Sequence, residues 1–159
     1  MGVASCGKTT VGEALAKEFG VRFIEGDRLH APESVAKMSA GIPLTDEDRW
    51  PWLARVGATL AGEEGAIASC SALKRVYRDR IRESAGRPVY FIHLHGTRAV
   101  LAERIAARKG HFMPPALLDS QLATLQMPTP DEPALTIDIN QPVDAILSEA
   151  ADFLRKGII

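Results

Sequence analysis

The sequence has little cysteine: two residues in 159, Cys6 and Cys70, far apart and without a C-x-x-C spacing. That scarcity argues against a zinc knuckle, a disulfide framework and a thioredoxin-type centre, and fits a reducing cytoplasm. Long apolar runs are also lacking. No stretch approaches the roughly 20 residues of a membrane span, and the N-terminus has neither the charged nor the apolar region of a secretory signal, so no membrane partner is expected. Neither sign of charge dominates: 19 Lys and Arg stand against 20 Asp and Glu, a net charge of −1. No electrostatic footprint for nucleic acid follows, and an anionic ligand has to be caught by local groups. Repeats and low-complexity segments are absent. What is present, 46% hydrophobic and 25% charged residues, is the composition of one ordinary globular domain over 1–159, able to bury a core without staples.

Short β-rich runs alternate with longer helical patterns from end to end, which predicts an α/β fold: a parallel sheet with helices on both faces. Strands are expected at 21–24, 66–70, 89–94 and 135–139, mostly continuous apolar runs of the kind buried on both faces. Val11, Leu15 and Phe19 recur at helical spacing before Gly20, a C-terminal stop. Thr45 and Asp48 form a variant capping box for a helix that Pro51 is expected to kink or interrupt. Further helices are expected at 73–83, 97–107, 115–125 and 143–156, and 127–133 reads as a loop.

Gly2-Val3-Ala4-Ser5-Cys6-Gly7-Lys8-Thr9, followed by Thr10, satisfies the G-x-x-x-x-G-K-[ST] pattern and runs straight into a helix. Its glycines let the backbone wrap a phosphate, successive N–H groups point inward, and the helix N-terminus adds its positive dipole end. Lys8 is expected to reach the β- and γ-phosphates of ATP and the Thr9 hydroxyl to sit on Mg²⁺. Cys6 reads as a small filler in the loop. The strand that ordinarily leads into this pattern is missing, since only Met1 precedes Gly2. Such a strand is central, and about five buried apolar side chains contribute about 8–15 kcal/mol, so Met1 is expected to be an internal methionine of a longer chain.

Four further stretches carry a resemblance: 26–30 (Gly-Asp-Arg-Leu-His), 37–44 (Lys-Met-Ser-Ala-Gly-Ile-Pro-Leu), 46–53 (Asp-Glu-Asp-Arg-Trp-Pro-Trp-Leu) and 70–74 (Cys-Ser-Ala-Leu-Lys). Together with Tyr77-Arg78, 108–112 (Arg-Lys-Gly-His-Phe), Ser120-Gln121 and Thr124-Leu125-Gln126, they make the chain resemble the gluconokinase family over nearly its whole length. The resemblance implies a shikimate-kinase-like P-loop fold that moves the ATP γ-phosphate to the 6-hydroxyl of D-gluconate, usually as a homodimer. The alternatives are a shikimate-type or other small-metabolite kinase, and a nucleotide-binding protein without turnover.

The residues can be read beside that resemblance. Glu25 and Asp27 end the first strand, where α/β sheets hold ligands; at i and i+2 they are expected on one face, Glu25 holding Mg²⁺ and Asp27 orienting the accepting hydroxyl. Gluconate is an anionic polyol, so its site needs cations and hydrogen-bonding groups; His30, Arg49, Lys74, Arg78 and His111 are the candidates. Lys74 and Arg78, at i and i+4, are expected on one helix face, with Arg75 and Arg80 as surface charges. The segment 104–125 resembles the lid of small P-loop kinases, with Arg104 and Arg108 supplying charge on closure. Asn140 and Gln141 lie where this fold contacts adenine. His93 and His95 alternate on a strand, but a third ligand is lacking and no metal pair is expected. Of Trp50 and Trp52, at least one is expected in the core. Departures from the family pattern are Ala4-Ser5 for a usual Ser-Gly, Glu25 for Asp, Ser34 for Asn and Met127 for Glu.

Overall fold

The left-handed Gly20 (φ 65°) ends α1 (Lys8–Phe19), whose Val11 and Leu15 are buried, and the chain turns directly into β1 (Arg22–Glu25). The computed structural model describes residues 1–107 and 114–158. A 3-10 turn (Gly26–Leu29) and α2 (Pro32–Ser39) follow β1. Then come α3 (Asp46–Ala61), β2 (Ala66–Ser69), α4 (Arg75–Ala85), β3 (Phe91–His95), α5 (Arg98–Ala107), α6 (Pro115–Thr124), β4 (Ala134–Asp138) and α7 (Val143–Ile158). The expected alternation is present. The eight-residue α2 was not anticipated; Pro32 at its first position pre-sets the helical φ.

At the head of α3 the reciprocal capping box forms, the Asp48 N–H donating to Thr45 Oγ1 (3.2 Å) and the Thr45 N–H to Asp48 Oδ2 (2.9 Å). The helix is not interrupted at Pro51. Burial outweighs the lost hydrogen bond there, because Trp52, Leu53 and Val56 immediately beyond the proline are all but inaccessible.

Strands β1 and β2 pair in parallel, Arg22 to Ala66 through Glu25 to Ser69, and β3 and β4 pair in parallel, Phe91 to Ala134 through His95 to Asp138. Among the described residues two two-stranded sheets result, in place of one continuous sheet. Helices cover both faces. Val11, Leu15, Leu101, Leu118, Ile146 and Ala150 pack on one core, and Trp52, Leu53, Val56, Tyr77, Ile81 and Phe91 form the other.

The first residues bridge the two sheets. Met1 pairs with β3 as a parallel strand would, its N–H donating to the Ile92 carbonyl (2.5 Å) and its carbonyl accepting from the Leu94 N–H (3.0 Å). On the other side the Gly2 N–H donates to the Ser71 carbonyl (3.2 Å), just past β2. Behind Met1 an apolar cavity of about 540 Å³ separates the sheets, lined among others by Leu15, Ile67, Phe91 and Ile92. Burial there pushes the Met1 amine down to about 6. An apolar segment as long as β3, five residues, joined ahead of Met1 is expected to enter this cavity as a strand and raise the melting temperature. A lengthened chain that melts together with 1–159 would show that the cavity takes no strand.

Candidate active site

Between Met1 and α1 the backbone turns left-handed at Gly2 (φ 141°), Ser5 (φ 62°) and Gly7 (φ 98°). Gly2 has no alternative, since a Cβ there would stand 2.8 Å from the Leu94 carbonyl oxygen and 2.9 Å from Cys6 Sγ. Ser5 takes a strained conformation that a glycine would take freely, at about 1–2 kcal/mol. Val3 and Cys6 are 2% and 1% exposed, so both side chains belong to the core and only their backbone is available to a ligand. The Cys6 thiol is thus a filler, as expected. Lys8 Nζ folds back to donate to the Val3 carbonyl (2.9 Å), while Thr9 and Thr10 lie exposed on the first turn of α1.

The parallel register sets Glu25 beside Ser69, whose hydroxyl donates to Glu25 Oε1 and accepts from the Gly26 N–H (3.3 Å). The other Glu25 oxygen accepts from Thr9 Oγ1 (2.8 Å), tying the head of α1 to the end of β1. A hydroxyl and a carboxylate in contact beside a phosphate-binding turn are the hard oxygen donors that Mg²⁺ takes, so these residues fit that ion. Ser69 was not anticipated as a site residue; the expected strand ran on to Cys70, and the observed one ends at Ser69.

Asp27 sits exposed in the 3-10 turn after Gly26. That turn overturns the expected strand-face relation of Glu25 and Asp27. The backbone leaves the β conformation at Gly26 because its Cα packs on β2, where a Cβ would lie 2.0 Å from the Ser69 carbonyl. His30 stacks on Trp52 (centroids 4.0 Å apart), and Trp52 Nε1 donates to the Gly26 carbonyl (2.8 Å). Burial, opposed by Asp27 and assisted by Arg49 and Arg55, holds His30 below the usual imidazole value. Its Nδ1 is buried and unpartnered in the structure.

Arg49 and Lys74 converge on Tyr77. The Arg49 guanidinium and the Lys74 ammonium lie 5.6 and 5.3 Å from the ring centroid. Lys74 Nζ donates to both oxygens of Asp46 (3.1 and 3.2 Å), which also accepts from the Tyr77 hydroxyl. These bonds hold the Asp46 carboxyl below its ordinary range, Tyr77 first and Lys74 second. Asp46 and Tyr77 were not anticipated. Beside Gly7 of the turn, Arg104 Nη2 donates to the Ile139 carbonyl (2.8 Å), and a Cβ on Gly7 would lie 3.8 Å from Arg104 Nη1. Asn140 and Gln141 follow Ile139 directly; the Asn140 N–H and Gln141 Nε2 fold onto Asp138 (2.8 and 2.9 Å). Arg104, Asn140 and Gln141 therefore share one side of the phosphate turn, while Arg108 and His111 lie outside the described residues.

The family model described as "AAA domain" matches residues 1–128. The chain is 47% identical over 153 residues to a gluconokinase of Gluconobacter oxydans, covering 94% of this chain and 85% of that one. It is 39% identical over 163 residues to the thermoresistant gluconokinase of Escherichia coli, covering 99% and 92%. The chain belongs to the gluconokinase family. Its backbone superposes on the crystal structure of a gluconokinase from Sinorhizobium meliloti with a TM-score of 0.91 at 53% identity, over 98% of this chain and 89% of that one. An APS kinase from Mycobacterium tuberculosis, at 17% identity and a TM-score of 0.67, shares the fold.

Of the gluconate-binding candidates in this gluconokinase-family chain, Arg78 is removed by the structure. It is fully buried, as is the Glu132 carboxylate to which its Nε and Nη2 donate (2.6 and 2.9 Å). Nη1 donates to the carbonyls of Ala72 (3.1 Å), Leu73 (3.4 Å) and Gln126 (3.1 Å). Every nitrogen is engaged within the framework, and complete burial leaves no face of the guanidinium open to a ligand. Helix α4 begins at Arg75, so Lys74 is its extended N-cap and the expected common face with Arg78 does not exist. Arg75 pairs with Asp131 and Arg80 is exposed. His93 is buried against Thr136 Oγ1 (3.3 Å) and pushed down to about 4 by burial, and Trp52 is the core tryptophan.

Arg78 holds the Glu132 carboxyl down at about 2, against an ordinary value of 4.5. A depressed folded value means that the pair's stabilisation is complete above about pH 4.5 and is lost as pH falls towards 2. Glu132→Gln strands the guanidinium and is expected to destabilise by about 3–5 kcal/mol at pH 7 in urea melts. The acid-induced loss between those pH values should shrink in the variant; an unchanged acid profile would assign it to other carboxylates.

Proposed function

We propose that the protein is a gluconokinase: an ATP-dependent phosphotransferase that converts D-gluconate to 6-phosphogluconate. The observation that carries this reading is the Thr9–Glu25 contact (2.8 Å), which joins the phosphate-binding turn to the end of β1, just ahead of the 3-10 turn that carries Asp27. The kinase relatives support the donor and the acceptor alike.

In this reading the N–H groups from Val3 to Thr9 take the phosphoryl oxygens, with the Gly2 N–H kept on the Ser71 carbonyl and Thr10 on the same first turn. Lys8 exchanges the Val3 carbonyl for the β- and γ-phosphates. Thr9 and Glu25 would hold Mg²⁺, which when bound neutralises phosphate charge. Asp27 accepts the proton of the 6-hydroxyl as that oxygen forms its bond to the γ-phosphorus and the bond to the ADP oxygen breaks. Arg49 and Lys74 supply positive charge for the gluconate carboxylate, and His30, kept neutral by burial, offers Nδ1 to a hydroxyl. Arg104, with Arg108 and His111 on the lid segment 104–125, brings charge to the transferring group, and Asn140 and Gln141 line the adenine side. Among the described residues no helix is long and apolar enough to cross a membrane. The reading includes action in the cytoplasm, with two free thiols, and assembly as a homodimer.

A coupled assay of ADP release is expected to give turnover with gluconate, far less with shikimate and little with no acceptor. Turnover on shikimate alone would make the protein a kinase of another acid, and none with any acceptor would remove the enzymatic reading. Lys8→Ala and Asp27→Asn are each expected to cut kcat by at least about 100-fold while melting within a few degrees of the parent. Near-normal turnover by either removes that residue from the mechanism.

A further inference from the structure

The Ser120-Gln121 pair plays no part in the chemistry above, yet Gln121 reaches the centre of the site. Its Oε1 accepts from the Ala4 N–H at 2.7 Å, across 117 residues of sequence. Ala4 is the third residue of the Gly2–Thr9 turn, whose inward N–H groups are the donors a phosphate takes. The carboxamide oxygen therefore makes the contact that a phosphoryl oxygen would make, at the distance of a strong N–H to O hydrogen bond.

Helix α6 is held at other points as well as by this bond. Leu118 is 1% exposed in the core, and Asp119 accepts from Arg98 Nε and Nη2 (2.6 and 3.0 Å). Just past the helix, Gln126 is fastened to the loop that carries Lys74. Its N–H donates to the Leu73 carbonyl (2.8 Å) and its Oε1 accepts from the Arg75 N–H (2.8 Å). One short element thus touches the phosphate turn at Gln121 and the acceptor-side loop at Gln126.

We propose that Gln121 is an internal ligand of the phosphate turn, displaced by a phosphoryl oxygen of the bound nucleotide, and so a positioning residue that links nucleotide occupancy to α6. The proposal rests on nucleotide binding at this turn, as read above, and not on the identity of the acceptor. A group that occupies a donor in the free protein lowers apparent affinity for whatever must replace it. Removing the carboxamide should tighten nucleotide binding. A carboxylate at the same position should weaken it, because it holds the N–H more strongly and repels phosphate.

The test is calorimetric titration of ATP, without gluconate, into the 159-residue chain and its Gln121→Ala and Gln121→Glu variants. Amide hydrogen exchange over α6 is followed with and without a non-hydrolysable ATP analogue. Gln121→Ala is expected to bind about twofold to tenfold more tightly, the size of one neutral hydrogen bond, and Gln121→Glu more weakly than the parent. The analogue should speed exchange in α6 of the parent and leave that of Gln121→Ala unchanged. A purely structural glutamine would lower the melting temperature without shifting affinity in opposite directions. Equal or weaker binding by Gln121→Ala overturns the proposal, weaker binding making Gln121 a direct nucleotide contact. If Gln121→Ala fails to fold, Gln121→Glu, nearly isosteric, decides alone: binding as tight as the parent's overturns the proposal. A parent chain that takes up no nucleotide overturns the kinase reading itself, whereas a parent that binds and a Gln121→Ala that matches it overturn only this inference.

Discussion

The site depends on one constraint, that the first turn of a helix leaves its N–H groups without partners inside the helix. In α1 those groups continue into a turn made left-handed at Gly2, Ser5 and Gly7, and burial of Val3 and Cys6 fixes which way the loop faces. With both side chains committed to the core, only the main chain of these two residues is available to a ligand. The strain at Ser5 is small beside that anchoring. The same anchoring explains why the side chains of Ala4 and Ser5 remove no donor, since the donors are main-chain atoms.

Around that turn the remaining groups arrive from separate elements and are held by contacts between them. Glu25 is aligned by its register with Ser69 and by Thr9, whereas Arg49 and Lys74 are gathered by Tyr77 and Asp46. Asp46 is itself the first residue of α3, next to the capping box, so the helix start that stabilises α3 also delivers the carboxylate that orients Lys74. Local helix chemistry and assembly of the acceptor side are one arrangement.

Much of this was legible in the sequence where the signal was local. The phosphate turn, the capping box of α3 and the strands from 21 to 139 all follow from spacing within a few residues, and the observed strands differ from those expectations only by small shifts at their ends. The failures share a cause. Arg78 looked like a ligand because the motif around it matched, and only a partner 54 residues away showed it to be part of the framework. Asp27 left its expected face because Gly26 packs on a neighbouring strand, and Asp46 and Tyr77 gained their roles from groups on other elements. Helical and strand periodicities report what a residue does to its own segment; a counter-charge or a close backbone approach supplied from elsewhere leaves no mark on them.

The Arg78–Glu132 pair also bears on how the chain is made. During synthesis α4 leaves the ribosome well before Glu132, and a guanidinium stays charged whatever the local pH. Until the later segment emerges, the Ala72 and Leu73 carbonyls can accept from Arg78, but no carboxylate answers its charge. Closing the inner face of α4 without Glu132 therefore carries the cost of an unpaired buried ion, which ties the sealing of the amino-terminal half to a residue 54 positions further along.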